Sequence, residues 1–211
     1  LREQVLPAMA RERIYIRRAK DLNRNQRRFI REYFDREVFP VLTPLGVDSG
    51  HPFPHLRNLS LNLAVRLEPI GKENISHSLF AVVQVPQVLD RVVLLPSPRQ
   101  DVYEFILLED LISHEINLLF PGIKVLEVAA FRVTRDADID FAEEEADDLL
   151  KTIEEELRQR ERGSAVRLEV EKEASADAIA LLTTTLELTP AQIYLLNGPL
   201  NPTEVADISS Q

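Results

Sequence analysis

The chain has 211 residues, 45% of them apolar, no cysteine and a formal net charge of −10. That composition supports a folded core and excludes disulfides, thiolate chemistry and Cys-based zinc sites. The charge is uneven: residues 1–36 carry eleven Lys/Arg against five Asp/Glu (+6), and the remainder carries fourteen against thirty (−16).

An acidic body argues against a nucleic-acid-binding role, because phosphate backbones select basic surfaces. No apolar run approaches the ~20 residues that span a bilayer. The opening Leu1-Arg2-Glu3-Gln4 has no signal-peptide pattern and no initiator Met. A soluble, cytoplasmic piece of a longer chain is expected.

In chain order, Asn23 is placed to cap a helix over 24–39, and Pro40 to end it. Phe29, Ile30, Tyr33, Phe34 and Val38 form its apolar stripe, with Arg24, Arg27, Arg28 and Arg31 on the opposite face. Residues 40–54 hold four prolines and two glycines and read as a long irregular connection, neither strand nor helix. Its large apolar residues predict that it packs down rather than swings free.

The period then becomes two. Leu59, Leu61, Leu63, Val65 and Leu67 alternate with Ser60, Asn62, Ala64 and Arg66, which predicts a half-buried strand. Further strands are expected at 79–85, 91–95, 102–107 and 124–133, with a helix from Asp110 to Phe120 that turns Leu111, Ile112, Ile116 and Leu119 inward. A helix over 141–162 has a strong apolar stripe, and Gly163 is placed for a left-handed turn at its end. A strand at 165–171 follows, then a helix capped by Ser175 and running to about Leu186. Thr189 and Gln192 suggest a capping box before a short strand, Ile193 to Leu196, and a last helical turn starts near Asn201. The order predicts an α+β fold: a mixed, largely antiparallel sheet with helices packed on one face, preceded by an N-terminal helix.

Candidate chemistry is sparse. His51 and His55 have a spacing that would ligate a metal on a helix, but Pro52 and Pro54 forbid one there, so both read as hydrogen-bonded in a loop. His77 falls in a polar loop and His114 on an exposed helical turn. No Gly-rich phosphate cradle and no nucleophile elbow occurs. Asp136, Asp138 and Asp140 lack the glycine and distal Glu of a calcium loop and read as helix capping. Two arginines, Arg132 and Arg135, flank Thr134 and Asp136 at a strand end. They would either bind an oxyanion or form an internal Arg–Asp lattice that fixes the strand–helix corner, and Arg167 and Glu169 belong to the same choice. No catalytic residue, metal ligand or cofactor site is expected in this chain.

Several segments are familiar in order and spacing: Phe39-Pro40-Val41-Leu42-Thr43-Pro44-Leu45, Asp48, His51-Pro52-Phe53-Pro54 and Asn58-Leu59-Ser60-Leu61-Asn62-Leu63. Later come Phe131-Arg132-Val133-Thr134-Arg135-Asp136-Ala137-Asp138, Val166-Arg167-Leu168-Glu169 and Gly198-Pro199-Leu200. From about residue 12 onward the chain resembles bacterial polyphosphate kinase. The resemblance implies that residues 1–40 end a helical N-terminal domain and that 41–211 form the middle, or head, domain. It implies an enzyme that moves the terminal phosphate of ATP onto polyphosphate through a phosphohistidine, with magnesium, in C-terminal domains beyond Gln211. None of the four histidines here matches that phosphohistidine. It further implies a homodimer or higher homo-oligomer and a polyphosphate tunnel shared by the domains. Arg24, Arg27, Arg28, Arg31, Arg132 and Arg135 are then the candidate polyphosphate contacts.

Overall fold

The computed structural model describes residues 5–47, 53–69, 79–99, 101–136 and 163–201. The expected helix over 141–162 and the expected turn after Asn201 lie outside these residues, as do His51, His77, Asp138 and Asp140.

Two sheets organise the chain. The larger has six strands: β2 (Pro44–Val47), β3 (Leu61–Pro69), β4 (Leu79–Gln84), β7 (Ile123–Arg135), β8 (Ala165–Glu171) and β9 (Ile193–Leu196), in the order β2-β4-β3-β7-β8-β9. All its pairings are antiparallel except β8 with β9. The smaller sheet has the order β1-β6-β5, from β1 (Ile14–Arg17), β5 (Val92–Leu95) and β6 (Tyr103–Leu107). Its β1–β6 pairing is parallel and its β5–β6 pairing antiparallel. The α+β class and the mixed, largely antiparallel pairing agree with the sequence pattern.

The large sheet buries both faces, for a reason visible in β3 and β4. Leu63, Val65 and Leu67 join Ala81 and Val83 in one core cluster, while Ala64 joins Val82 in a second. Successive side chains on a strand point to opposite faces, so the two clusters lie on opposite sides of one sheet. The first face is covered by α2 (Arg24–Tyr33), which supplies Ile30, and by α3 (Leu108–Glu115), which supplies Leu108, Leu111 and Ile112. The second is covered by α4 (Ala176–Thr185), which supplies Leu182 and leads to Leu186 and Leu188. The single helix-covered face expected from the sequence therefore becomes two. A short helix, α1 (Val5–Arg11), precedes β1.

Helix ends follow local chemistry. Asn23 Oδ1 accepts the Gln26 N–H at 3.0 Å and Gln26 Oε1 accepts the Asn23 N–H at 3.1 Å, a reciprocal capping box. Ser175 Oγ accepts the Ala178 N–H at the start of α4. The helix expected over 24–39 keeps α geometry only to Tyr33. It then widens into one π turn, Phe34–Val38, and tightens into a 3-10 turn, Phe39–Val41. Pro40 accounts for the change: it has no N–H to donate, and its ring crowds the carbonyl four residues back. Phe34 and Val38 stay fully buried through the transition.

Three expectations are corrected. Pro44–Val47 lies within the stretch read as irregular, yet it is a strand paired with β4. Pro44 is its first residue and β2 is an edge, the setting in which a strand tolerates proline. Residues 102–107 do form a strand, but in the small sheet beside β1, a four-residue strand too short to show a period. Gly163 is not left-handed. Glycine stands there because a Cβ would lie 2.0 Å from the Asp136 carbonyl oxygen.

Phe131, fully buried in the second core, and Leu94, 54% exposed on β5, give a direct contrast. Phe131→Ala is expected to cost about 3–5 kcal/mol of stability and Leu94→Ala under about 0.5 kcal/mol, as read from urea unfolding.

Candidate functional site

The arginines singled out from the sequence do not converge on one place. On α2 all four are exposed, but they differ in what they hold. Arg27 donates from Nε to the Leu22 carbonyl at 2.9 Å and from Nη2 to the Lys20 carbonyl at 3.2 Å, and so ties down the turn before the helix. Arg31 pairs with Asp35 and with Glu115 of α3, both at 3.0 Å. The hydrogen bond it donates to Asp35 leads the effects that raise its pKa. Arg24 and Arg28, at i and i+4, make no ion pair or hydrogen bond among the described residues. They leave two exposed guanidinium groups one helical turn apart.

At the end of β7 the arrangement is internal. Arg132 Nε donates to Glu169 Oε2 at 2.8 Å. Glu169 Oε1 takes a second bond, at 3.0 Å, from Arg167, whose guanidinium lies 3.7 Å from the Tyr194 ring centroid. Arg135 turns to other partners. It donates to the carbonyls of Leu56 at 2.9 Å and Gly163 at 2.8 Å, and its own N–H binds Asn58 Oδ1 at 2.9 Å. Burial lowers its pKa. At this corner both arginines hold groups of the chain itself: Arg132 holds the Glu169 carboxylate rather than an aspartate, and the Arg135 guanidinium holds the Leu56 and Gly163 carbonyls while its backbone N–H binds Asn58.

Three charged groupings had no signature in the sequence, because their members are far apart along the chain. Arg91 forms a bidentate pair with Glu109, reaching Oε1 at 2.6 Å, and also donates to the carbonyls of Leu200 and Asn201. Both partners are almost fully buried, and removing one would strand the other without compensation. Arg17 pairs with Glu104, which also accepts from the buried Gln26 amide at 2.7 Å. Arg18 lies 3.1 Å from Asp110 and 3.9 Å from Glu171, so it joins β1, α3 and β8 at one point.

This last grouping is unequal. Burial works against the Arg18 charge, but Asp110 and Glu171 together outweigh it and raise its pKa. Each carboxylate loses solvation and has only a share of one guanidinium. Burial therefore pushes both Asp110 and Glu171 above the ordinary carboxylate range, despite the Ala130 N–H donated to Glu171.

No three His, Asp or Glu side chains converge on a common point among the described residues. The buried acids face arginines. The described residues do not fit a magnesium–nucleotide site.

The fold and these groupings define an α+β domain whose buried carboxylates, Glu104, Glu109 and Glu169, are each matched to an arginine. Residues 25–208 match the family described as the polyphosphate kinase middle domain. The polyphosphate kinase of Bacillus anthracis is 48% identical over 203 residues, covering 94% of this chain and 28% of that protein. The polyphosphate kinase of Lactiplantibacillus plantarum is 42% identical over 204 residues, covering 96% of this chain and 28% of that protein. The crystal structure of polyphosphate kinase from Porphyromonas gingivalis superposes with a TM-score of 0.76 at 23% identity, over 97% of this chain and 28% of that one. The chain belongs to the polyphosphate kinase middle-domain family. It spans about 28% of the length of these relatives.

The Arg18 grouping sets a pH dependence with a defined sign. A carboxyl whose folded pKa is raised holds its proton more readily in the fold than in the unfolded chain. Its contribution is then most favourable below the unfolded pKa and is lost as pH rises through the folded one. Stability should therefore contain a component that declines as pH rises above about 4, the ordinary carboxylate value. Glu171→Gln, which keeps an oxygen for the Ala130 N–H, should flatten that component in urea melts taken across the range.

Proposed function

We propose that this chain is the head domain of a polyphosphate kinase, an ATP-dependent phosphotransferase that extends inorganic polyphosphate. Its role is structural: it positions the other domains and contributes to a homodimer, while ATP, magnesium and the phosphohistidine belong to parts of the polypeptide outside these residues. In this reading residues 1–40 end the preceding helical domain, 41–211 form the body of the head, and the enzyme works in the cytoplasm. The observation that carries the proposal is the middle-domain match over 25–208. The edge strand β2 supports the dimerising part, since Leu45, with Phe39 and Val41 just before it, presents exposed apolar side chains beside a free strand edge. No described helix is long and apolar enough to cross a membrane.

The first test is catalytic. Incubated with radiolabelled ATP and magnesium, the 211-residue chain should make no polyphosphate and acquire no acid-labile label. Label on the chain would place a nucleophile inside it and overturn the structural role.

A second reading, direct contact with the polyanion, is favoured at one place only. Arg24 and Arg28 are exposed and unpaired among the described residues, on a segment of balance +6, whereas Arg27, Arg31, Arg132 and Arg135 already hold protein groups. Guanidinium groups bind phosphates and release their counterions, so such contact weakens as salt rises. In the full-length enzyme, Arg24→Glu with Arg28→Glu should weaken polyphosphate binding and make its salt dependence shallower between about 50 and 200 mM. Unchanged affinity and product length in that variant would leave the domain purely structural.

A further inference from the structure

The small sheet is apolar on both sides, and the described residues cover only one. On β6, Glu104 and Ile106 face the interior, so Tyr103 and Phe105 face outward. On β5, Val93 and Leu95 are buried and Leu94 is turned out. Register completes the outer face: Ile14 lies opposite Tyr103, and Leu94 opposite Phe105. Leu94 and Tyr103 are 54% and 53% exposed. The face continues into a groove of about 1050 Å³ that runs around β5 to Phe29 and Tyr33 of α2 and to Leu59 before β3.

Two further features make this more than scattered surface hydrophobicity. β5 is an edge strand, so backbone donors and acceptors not used by β6 open into the groove. Leu59 has φ +60, a left-handed conformation that is costly for a leucine, and it is held there by its N–H to the Val133 carbonyl at 2.8 Å. Backbone strain that keeps an apolar side chain 48% exposed at a groove rim is an arrangement found at docking surfaces.

We propose that this groove and the outer face of the small sheet seat another segment of the same polyphosphate kinase polypeptide. The inference rests on the head-domain reading above and names the surface through which the head grips the rest of the enzyme. The matched stretch is 28% of the relatives' length, so most of the polypeptide in those proteins lies elsewhere. Asn201 lines the groove, so the polypeptide that continues past it starts beside this face. A segment tethered there competes at high effective concentration, which a second copy arriving from solution does not. The seat fits an extended strand with alternating apolar side chains, its backbone pairing with β5. Asp90, exposed on the rim, suits a Lys or Arg on that segment.

The test is hydrogen exchange of the full-length enzyme at two concentrations tenfold apart, for wild type, L94E/Y103E and, as a control on a different strand, L195E. Polyphosphate synthesis by the wild type checks the head-domain reading separately. The expected result is that the β5 amides exchange at least about tenfold faster in L94E/Y103E than in wild type or L195E, at both concentrations. Amides of α4 should stay equally protected in all three. Equal β5 exchange in wild type and L94E/Y103E overturns the proposal. Protection that fades on dilution also overturns it, in favour of a second copy. If α4 loses protection in L94E/Y103E, the milder L94S/Y103S is read by the same criteria.

Discussion

The antiparallel pairing of β3 with β7 is the constraint on which the rest depends. Both strands are apolar at consecutive positions, so neither face of the sheet can be left to water. Leu63 and Val65 demand cover on one side, and Phe131, Val133 and Ala64 demand it on the other. Once these two strands pair, α2 and α3 must pack on the first face and α4 on the second. The chain between them has to travel around the sheet edges to reach both. A register shift between Arg66 and Leu67 bends the pair without breaking it.

Charge then fixes how the small sheet sits on the large one. Arg18 follows β1, yet its carboxylates come from α3 and β8. Arg91 precedes β5, and its pair with Glu109 also holds the carbonyls of Leu200 and Asn201. Arg17 and Gln26 meet at Glu104. Each is directional and sits beside apolar surface that is not. Hydrophobic burial holds the layers together, while these pairs set their relative position, because a buried charge displaced from its partner has no solvent to fall back on.

The same pattern explains why an acidic domain with many arginines carries so little exposed binding chemistry. Its arginines mostly face carboxylates or carbonyls of the chain itself. The exposed features include the guanidinium groups of Arg24 and Arg28 and the apolar strand edges at β2 and β5. The first suits a polyanion and the second suits protein.

Much of this was legible in the residues. The strand over 61–67, the caps at Asn23 and Ser175, and the strands at 165–171 and 193–196 are local effects, set by side chains within a few positions of one another; the half-buried face and the start at Leu59 expected for the first of these were wrong, since Ser60, Asn62 and Ala64 are buried too and Leu59 precedes β3 in a left-handed conformation. The familiar segments from Phe39 to Leu200 were enough to reach the family. Other features were not legible, because they depend on residues far apart in the chain, such as Arg91 with Asn201 and Arg18 with Glu171. Pro44–Val47 became a strand only because β4 offered an edge that accepts a proline, and Ile14–Arg17 only because β6 lay beside it. Arg132 and Arg135 could be paired with solvent, phosphate or protein until the fold brought Glu169, Leu56 and Gly163 to them. By itself the sequence determined local periodicity, capping and family, since these are written in neighbouring side chains. The tertiary structure alone decided which arginines are engaged and which apolar face stays open, since both depend on what long-range packing places opposite them.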